Sequence, residues 1–299
     1  MATTDPAPDT GRRPASRGVQ DKTEVHENLS TASMAGAVSK RIGLSVATLV
    51  ISAIVLIAAW YALLALLHID DFVGKRPLDV WAYFTSDDTA SENRSELLSL
   101  LGVTLKDAAI GFFSGLVAAL VVSSLFVLLP PLEFTFMPLA MLLRSVPLVA
   151  MAPLIGLIFG RGFFGAATIG GIVVFFPVLV NLSLGLRSAS PQSLDLIAVN
   201  GGSRWTGLRL VAIPTALPNL FAAIRISVPG SVIGAMLYEW LFTGKGLGAE
   251  IFRANSQVQF TKLWGIVVVV TFTSILLYTI VSIIETLVLA KWGPNAGRR

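Results

Sequence analysis

The sequence predicts an all-α, polytopic membrane protein with six transmembrane helices, and three observations predict it. The 299 residues are 54% hydrophobic and 13% charged, about half the ~25% charge that soluble domains carry on their surfaces. Four runs carry no charge at all: Ile42–Leu67 (26 residues), Ala108–Leu132 (25), Gly162–Leu186 (25) and Leu263–Ile284 (22). Each exceeds the ~20 helical residues that cross a hydrocarbon core, and none shows the ~10-residue alternation of a membrane β-strand. A soluble enzyme is thereby excluded.

Residues 1–38 are rich in Pro, Thr, Ser, Gly and mixed charge, with almost no large apolar side chain. Such a segment buries too little surface to offset its ordering entropy, so it reads as a disordered tail. The first span follows it, too far from the N-terminus and too long for a cleavable signal peptide. Between Asp70 and Ser99, the stretch KRPLDVWAYF clusters aromatics beside a span, which suits an amphipathic helix at the interface. The second span is Ala108–Leu132. Two further apolar stretches complete the count of six: Phe134–Gly160 with Arg144 inside it, and Leu217–Phe242 with Arg225 and Glu239. Residues 39–292 thus form the transmembrane domain, and 293–299 a short C-terminal tail.

Ionisable groups are costly inside a bilayer, so these three need an account. Each either faces a translocation cavity or is satisfied locally, by an ion pair or by snorkelling to the surface. Pro138, Pro147, Pro153 and Pro229 interrupt helix hydrogen bonding, which lipid tolerates only where protein or a water-filled cavity satisfies the freed groups. Arg144, Pro147, Arg225 and Glu239 are therefore the candidate pathway residues; simple kinks are the competing reading. Three Gly-x3-Gly pairs, at 111/115, 156/160 and 230/234, suit close helix packing within the chain.

The stretch Ser190–Pro218, SPQSLDLIAVNGGSRWTGLRLVAIPTALP, joins the fourth and fifth spans and reads as two short helices. Ser190 caps the first and Pro191 suits its first position. Asn200-Gly201-Gly202 stops it. Ser203 caps the second, to about Leu210, and Pro214 and Pro218 break the chain before the fifth span. A nine-residue helix is unstable alone, and Leu194, Ile197 and Ala198 give this one an apolar face. It must dock, either on its own membrane domain or in a groove of a separate subunit.

This stretch resembles the E-A-A-x3-G-x9-I-x-L-P motif of permease subunits of binding-protein-dependent ABC importers. With the motif glycine at Gly201, its Glu falls on Asp195, its alanines on Leu196 and Ile197, and its Ile, Leu and Pro on Val211, Ile213 and Pro214, without a gap. Asp195 is a shorter acid than the usual one, and Leu196 and Ile197 are larger than alanine. The resemblance runs over about 41–291 and is similar in order to the nitrate/sulfonate/taurine branch: LLSLLGVTLKDAAIGFFSG, MPLAMLLRSVPLVAMAPLIGLIFG, LPNLFAAIRISVPGSVIGAMLYEWLF and GKGLG.

The resemblance implies the type I permease fold of ABC importers, in a bacterial plasma (inner) membrane. It places a coupling loop at 190–214, whose Asp195, Leu196, Ile197, Gly201, Ser203 and Pro214 meet a cytoplasmic ABC ATPase subunit. It implies a second permease copy or paralogue, an extracytoplasmic substrate-binding protein, and a small anion such as a sulfonate, taurine or nitrate as cargo. Both termini would be cytoplasmic; counting Lys and Arg near the spans, eight on each side, does not decide orientation.

The chain is expected to do no catalysis and to hold no cofactor or metal. The pair Gly244-Lys245 lacks the hydroxyl residue and first glycine of a P-loop, and GKGLG reads as a flexible external turn. His26 and His68 make neither a metal site nor a triad, and there is no cysteine. The basic residues, net +4, form no stripe for nucleic acid. A secondary transporter is the alternative; it needs mid-membrane acids and often inverted repeats, whereas Asp107, Glu239 and Glu285 lie near span ends.

Overall fold

The computed structural model describes residues 51–292; the expected tails, 1–38 and 293–299, and the start of the first span lie outside them. The chain divides into two units at His68. In the first, α1 (Ile51–Leu66) is an apolar helix. The second holds α2 (Pro77–Thr85), α3 (Ala90–Leu128), α4 (Pro130–Ser145), α5 (Leu148–Phe159), α6 (Phe163–Arg187), α7 (Pro191–Val199), α8 (Arg204–Gly207), α9 (Ile213–Tyr238), α10 (Gly246–Ser256) and α11 (Phe260–Trp292). The described residues contain no strand.

Four continuous helices are long and apolar enough to cross a membrane: α3, α6, the rod Arg204–Thr243 that contains α9, and α11. The bent pair α4–α5 supplies a fifth apolar segment, and α1 continues the first uncharged run. The all-α class holds, and the arrangement is compatible with six crossings.

The centre is α6. In its most apolar stretch 44% of the residues are buried, against 11% for α11, so α6 is the middle of the bundle and α11 its outer wall. One core cluster joins Ala119 and Phe126 of α3, Val174 and Val178 of α6 and Ala223 of α9. The α3–α6 crossing is set by glycine: a Cβ on Gly111 would stand 2.6 Å from the Gly170 Cα, and one on Gly115 would run into the Gly171 carbonyl. Small residues thus let two backbones touch, and the 111/115 pair packs within the chain.

The third span departs from expectation. Instead of one crossing over Phe134–Gly160, α4 and α5 meet at 106°. The bend sits at Val146-Pro147: Val146 has φ −76°, ψ 127°, the extended conformation that a following proline ring imposes. Pro138 and Pro153 stay inside their helices.

The second departure is the opposite one, a break that is absent. Pro214 and Pro218 do not interrupt the chain; residues 204–243 run as one rod. A π-helical turn at Leu208–Ala212 widens the backbone just ahead of Pro214, relieving the clash between a proline ring and the carbonyl four residues earlier. The rod ends in a second π turn, Glu239–Thr243, closed by Gly244 in the left-handed conformation. GKGLG is no loose turn, because α10 starts at Gly246 and its first four residues are buried.

At 39 residues, α3 measures about 58 Å, well beyond the ~30 Å hydrocarbon core. Its charged first half stands clear and packs with α2, α10 and the start of α11 around Tyr83, Leu97, Leu247 and Ile266. Lys262 Nζ bridges Glu96 (2.7 Å) and Glu250 (2.6 Å), and Arg253 also pairs with Glu250. The helix expected in KRPLDVWAYF is α2, with Pro77 at its start, Val80 and Tyr83 buried, and Leu78 and Trp81 exposed.

Candidate functional site

The connector between α6 and the rod folds by its own local chemistry. Ser190 accepts the Ser193 N–H at 3.4 Å and Pro191 opens α7. At the other end Gly201 N–H donates to Ala198 O (3.0 Å) and Gly202 N–H to Ile197 O (2.8 Å), the two bonds of a Schellman stop. Gly201 has φ +78°, a conformation that a side chain strains. Ser203 then accepts the Thr206 N–H at 3.3 Å and starts α8. Because α8 runs into the rod through the π turn, a push on this knob is a push on a 40-residue helix.

The knob has two apolar sides. Leu194, Ile197 and Ala198 turn toward a cavity of about 380 Å³ whose far wall includes Val127, Pro130 and Leu186. The face expected to need docking is thus directed at the chain's own membrane domain. Elsewhere the knob presents Leu196 (65% exposed), Val199 (87%), Trp205 (57%) and Leu210 (63%). Asp195 is exposed at the rim, and no residue of α7 is buried. The segment is anchored by Arg187 of α6, which pairs with the buried Glu133 of α4, and by Arg204, which donates to Leu128 O at 3.4 Å. Sequence reasoning missed Glu133; its only signal was an acid at the edge of an apolar run.

The four candidate pathway residues separate. Arg144 and Pro147 lie together in the α4–α5 bend and line a cavity of about 530 Å³, walled by Met151, Phe175 and Phe176. Arg144 is the one charged residue in that lining, and among the described residues it has no ion-pair partner. Arg225 is engaged elsewhere: its guanidinium lies 3.3 Å from Glu285 and 5.6 Å from the Tyr278 ring centroid, both on α11. That pair satisfies the charge locally and turns Arg225 to the outer wall.

Glu239 is fully buried. It accepts the Thr104 hydroxyl at 3.0 Å and the Gly248 N–H at 2.8 Å, while Leu247 N–H donates to Thr104 Oγ1 at 2.9 Å. It lines no cavity described here and clamps α3, the rod end and α10. Glu239→Ala leaves the buried Gly248 N–H without its acceptor, a cost of about 1–3 kcal/mol. A lower melting temperature of the purified chain in detergent is the expected outcome, largely restored by Glu239→Gln; an unchanged melt contradicts the clamp.

Residues 100–293 match the family described as binding-protein-dependent transport system inner membrane component. The chain belongs to this family. The match runs from within α3 through α11, so the connector and the α4–α5 cavity both lie inside it. As an inner membrane component, the chain is a multi-pass membrane protein, in keeping with its apolar helices.

Among relatives of this permease family, the riboflavin transport system permease protein RibX of Chloroflexus aurantiacus is 29% identical over 164 residues, 55% of this chain and 61% of RibX. The aligned part thus spans less than two thirds of that relative. The formylaminopyrimidine transport permease protein ThiX of Halalkalibacterium halodurans is 27% identical over 201 residues, 67% of this chain and 80% of ThiX. The putative aliphatic sulfonates transport permease protein SsuC of Bacillus subtilis is 27% identical over 197 residues, 66% of this chain and 71% of SsuC. A crystal structure of an amino acid ABC transporter with histidines overlaps at a TM-score of 0.47 and 17% identity, covering 68% of this chain and 98% of that one. That overlap is too loose to argue from, and membership rests on the family match.

Proposed function

We propose that this chain is the permease subunit of an ATP-driven importer, and that its 190–214 connector is the surface an ATPase subunit grips. The observation that carries the proposal is the knob's exposed apolar set, Leu196, Val199, Trp205 and Leu210, on a connector held rigid by two caps and a Schellman stop. Hydrolysis is assigned to that separate subunit, so the chain itself does no chemistry. Asp195, Gly201, Ser203 and Pro214 take supporting parts: Gly201 and Ser203 fix the knob's shape, Asp195 offers a charge at its rim, and Pro214 sits where the knob joins the rod. The knob then faces the cytoplasm, as do both termini. A second permease copy or paralogue completes the pathway, and an extracytoplasmic binding protein delivers the cargo.

Motion reaches the membrane by two routes. One is the Arg204–Thr243 rod. The other is α4, whose first residue, Pro130, forms part of the wall beneath α7 and whose last turn carries Arg144, about 21 Å away. Opening and closing transports cargo directionally only if the cavity binds it with different affinity in the two states. The α4–α5 bend offers such an element, since its geometry depends on a single proline junction.

For the cargo, a lone arginine among Met151, Phe175 and Phe176 suits a small anion with an apolar body, such as an alkanesulfonate, better than bare nitrate. Guanidinium binds a sulfonate by charge-assisted hydrogen bonds, and the wall accepts the rest. One relative, SsuC, is named for aliphatic sulfonates, in keeping with this class.

Co-purification tests the reading. Expressed with a cognate ABC ATPase subunit, the chain should retain it through detergent purification. A chain that takes up cargo in vesicles with no ATPase present overturns the proposal.

A further inference from the structure

At the end of α6 remote from the connector, about 36 Å along the helix, the start of α6, the end of the rod and an interior stretch of α3 border a cavity of about 650 Å³. Lys106 and Asp107 reach it from α3, Arg161 from the turn between α5 and α6, and Lys245 from the turn that follows the rod. Tyr238, buried in the rod, donates its hydroxyl to Gly162 O at 3.0 Å. That bond fixes the turn bearing Arg161 to the rod, so the cavity is framed before any ligand arrives.

Its charge is unbalanced. Three cations face one carboxylate, Asp107, the only acid among the lining residues. Among the described residues, none of Lys106, Arg161 and Lys245 has an ion-pair or cation–π partner. The three side chains are exposed at the cavity, whereas four other cations are matched: Lys262 with two glutamates, Arg253 with Glu250, Arg187 with Glu133 and Arg225 with Glu285. The start of α6, Gly162, Phe163 and Ala166, lines the same cavity, and the first turn of a helix leaves amide N–H groups without an intrahelical partner. Their partial positive charge adds to that of the side chains.

We infer that this cavity binds one small anionic group, a sulfonate, phosphate or carboxylate, held by Lys106, Arg161 and Lys245 at the start of α6. Low-dielectric walls focus the field of the three cations on a bound anion, while Asp107 limits the excess to about two charges and so disfavours a polyanion. The chemistry is the same whether the group belongs to a soluble anion or to the headgroup of an anionic lipid. The site requires no ATPase and no transport, and so stands or falls separately from the proposed function.

The test uses the full-length chain in a neutral maltoside detergent, with trifluoromethanesulfonate as the soluble probe followed by 19F NMR. Saturable line broadening is expected, weakening with added salt because screening shortens the reach of the charges. The double variant Arg161→Gln/Lys245→Gln should bind the probe at least about ten-fold more weakly. Arg161→Lys/Lys245→Arg should retain binding; every chain in this series carries Arg144→Ala, so that sulfonate binding in the α4–α5 cavity does not contribute to the signal. Native mass spectrometry of the same chains with phosphatidylglycerol or phosphatidylcholine supplies the lipid arm. Triflate binding that phosphatidylglycerol does not displace assigns the site to a soluble anion. Displacement, with a phosphatidylglycerol adduct lost in the glutamine variant, assigns it to a headgroup. Equal binding of both probes to parent and glutamine variant, or binding of neither, overturns the inference; matched elution and melting of the variants show that they are folded.

Discussion

The double variant Leu196→Asp/Val199→Asp is expected to enter the membrane and fold like the parent chain while losing its ATPase subunit altogether. Val199 is 87% exposed and Leu196 65%, so a carboxylate at either position remains in water when the chain is alone. Surface changes of this kind usually stay within about 0.5 kcal/mol of neutral. In the proposed assembly the same positions are covered. Each apolar side chain there would contribute about 1.5–3 kcal/mol on full burial, and an unpaired carboxylate replaces that gain with a desolvation cost. The measurement is the ATPase content of the purified complex beside the melting temperature of the chain. Loss of partner with an unchanged melt is the expected pair of results; full retention of the ATPase shows that the connector is gripped elsewhere or not at all.

Arg144→Ala is expected to raise the KM for uptake of ethanesulfonate about ten- to hundred-fold. That range corresponds to the roughly 1.5–3 kcal/mol carried by hydrogen bonds to a charged group. Complex assembly should be untouched, because Arg144 lines the α4–α5 cavity and is paired with nothing among the described residues. Arg144→Lys should recover part of the loss, since it restores the charge but not the planar fork that holds two oxygens at once. An unchanged KM in Arg144→Ala removes the arginine from the cargo path.

What could be read in the sequence was whatever depends on neighbours along the chain. Ser190, Pro191, Gly201 and Ser203 act within a turn or two of themselves, and the structure gives each the role its chemistry predicts. Long uncharged runs likewise reported their helices directly. The α4–α5 bend was hidden because apolar residues on both sides of it erase any periodicity; the only clue was the Val146-Pro147 pair, one of several prolines that look alike in sequence. Pro214 misled in the other direction, since nothing in the residue pattern announces the π turn at Leu208–Ala212 that accommodates it.

Partners far apart in sequence were not legible. Arg225 and Glu285 meet across sixty positions, and Glu239 finds Thr104 at a separation of 135. An in-span charge read without its partner therefore left the pathway and ion-pair readings both open. The amphipathic face of α7 was visible, but amphipathicity says only that one side is covered, not by what. In the fold that side faces the chain's own membrane domain, and the residues left bare are those between and beyond it.

The most direct measurement exploits the natural absence of cysteine. A single Val199→Cys substitution gives one thiol at the tip of α7, in an otherwise thiol-free chain. In right-side-out cells, a membrane-impermeant maleimide should leave this thiol unlabelled, and a short bifunctional crosslinker that enters the cell should join it to the ATPase subunit. Labelling from outside, or a thiol that reacts freely inside while the ATPase is bound, would contradict the assignment of this connector as the grip of the motor.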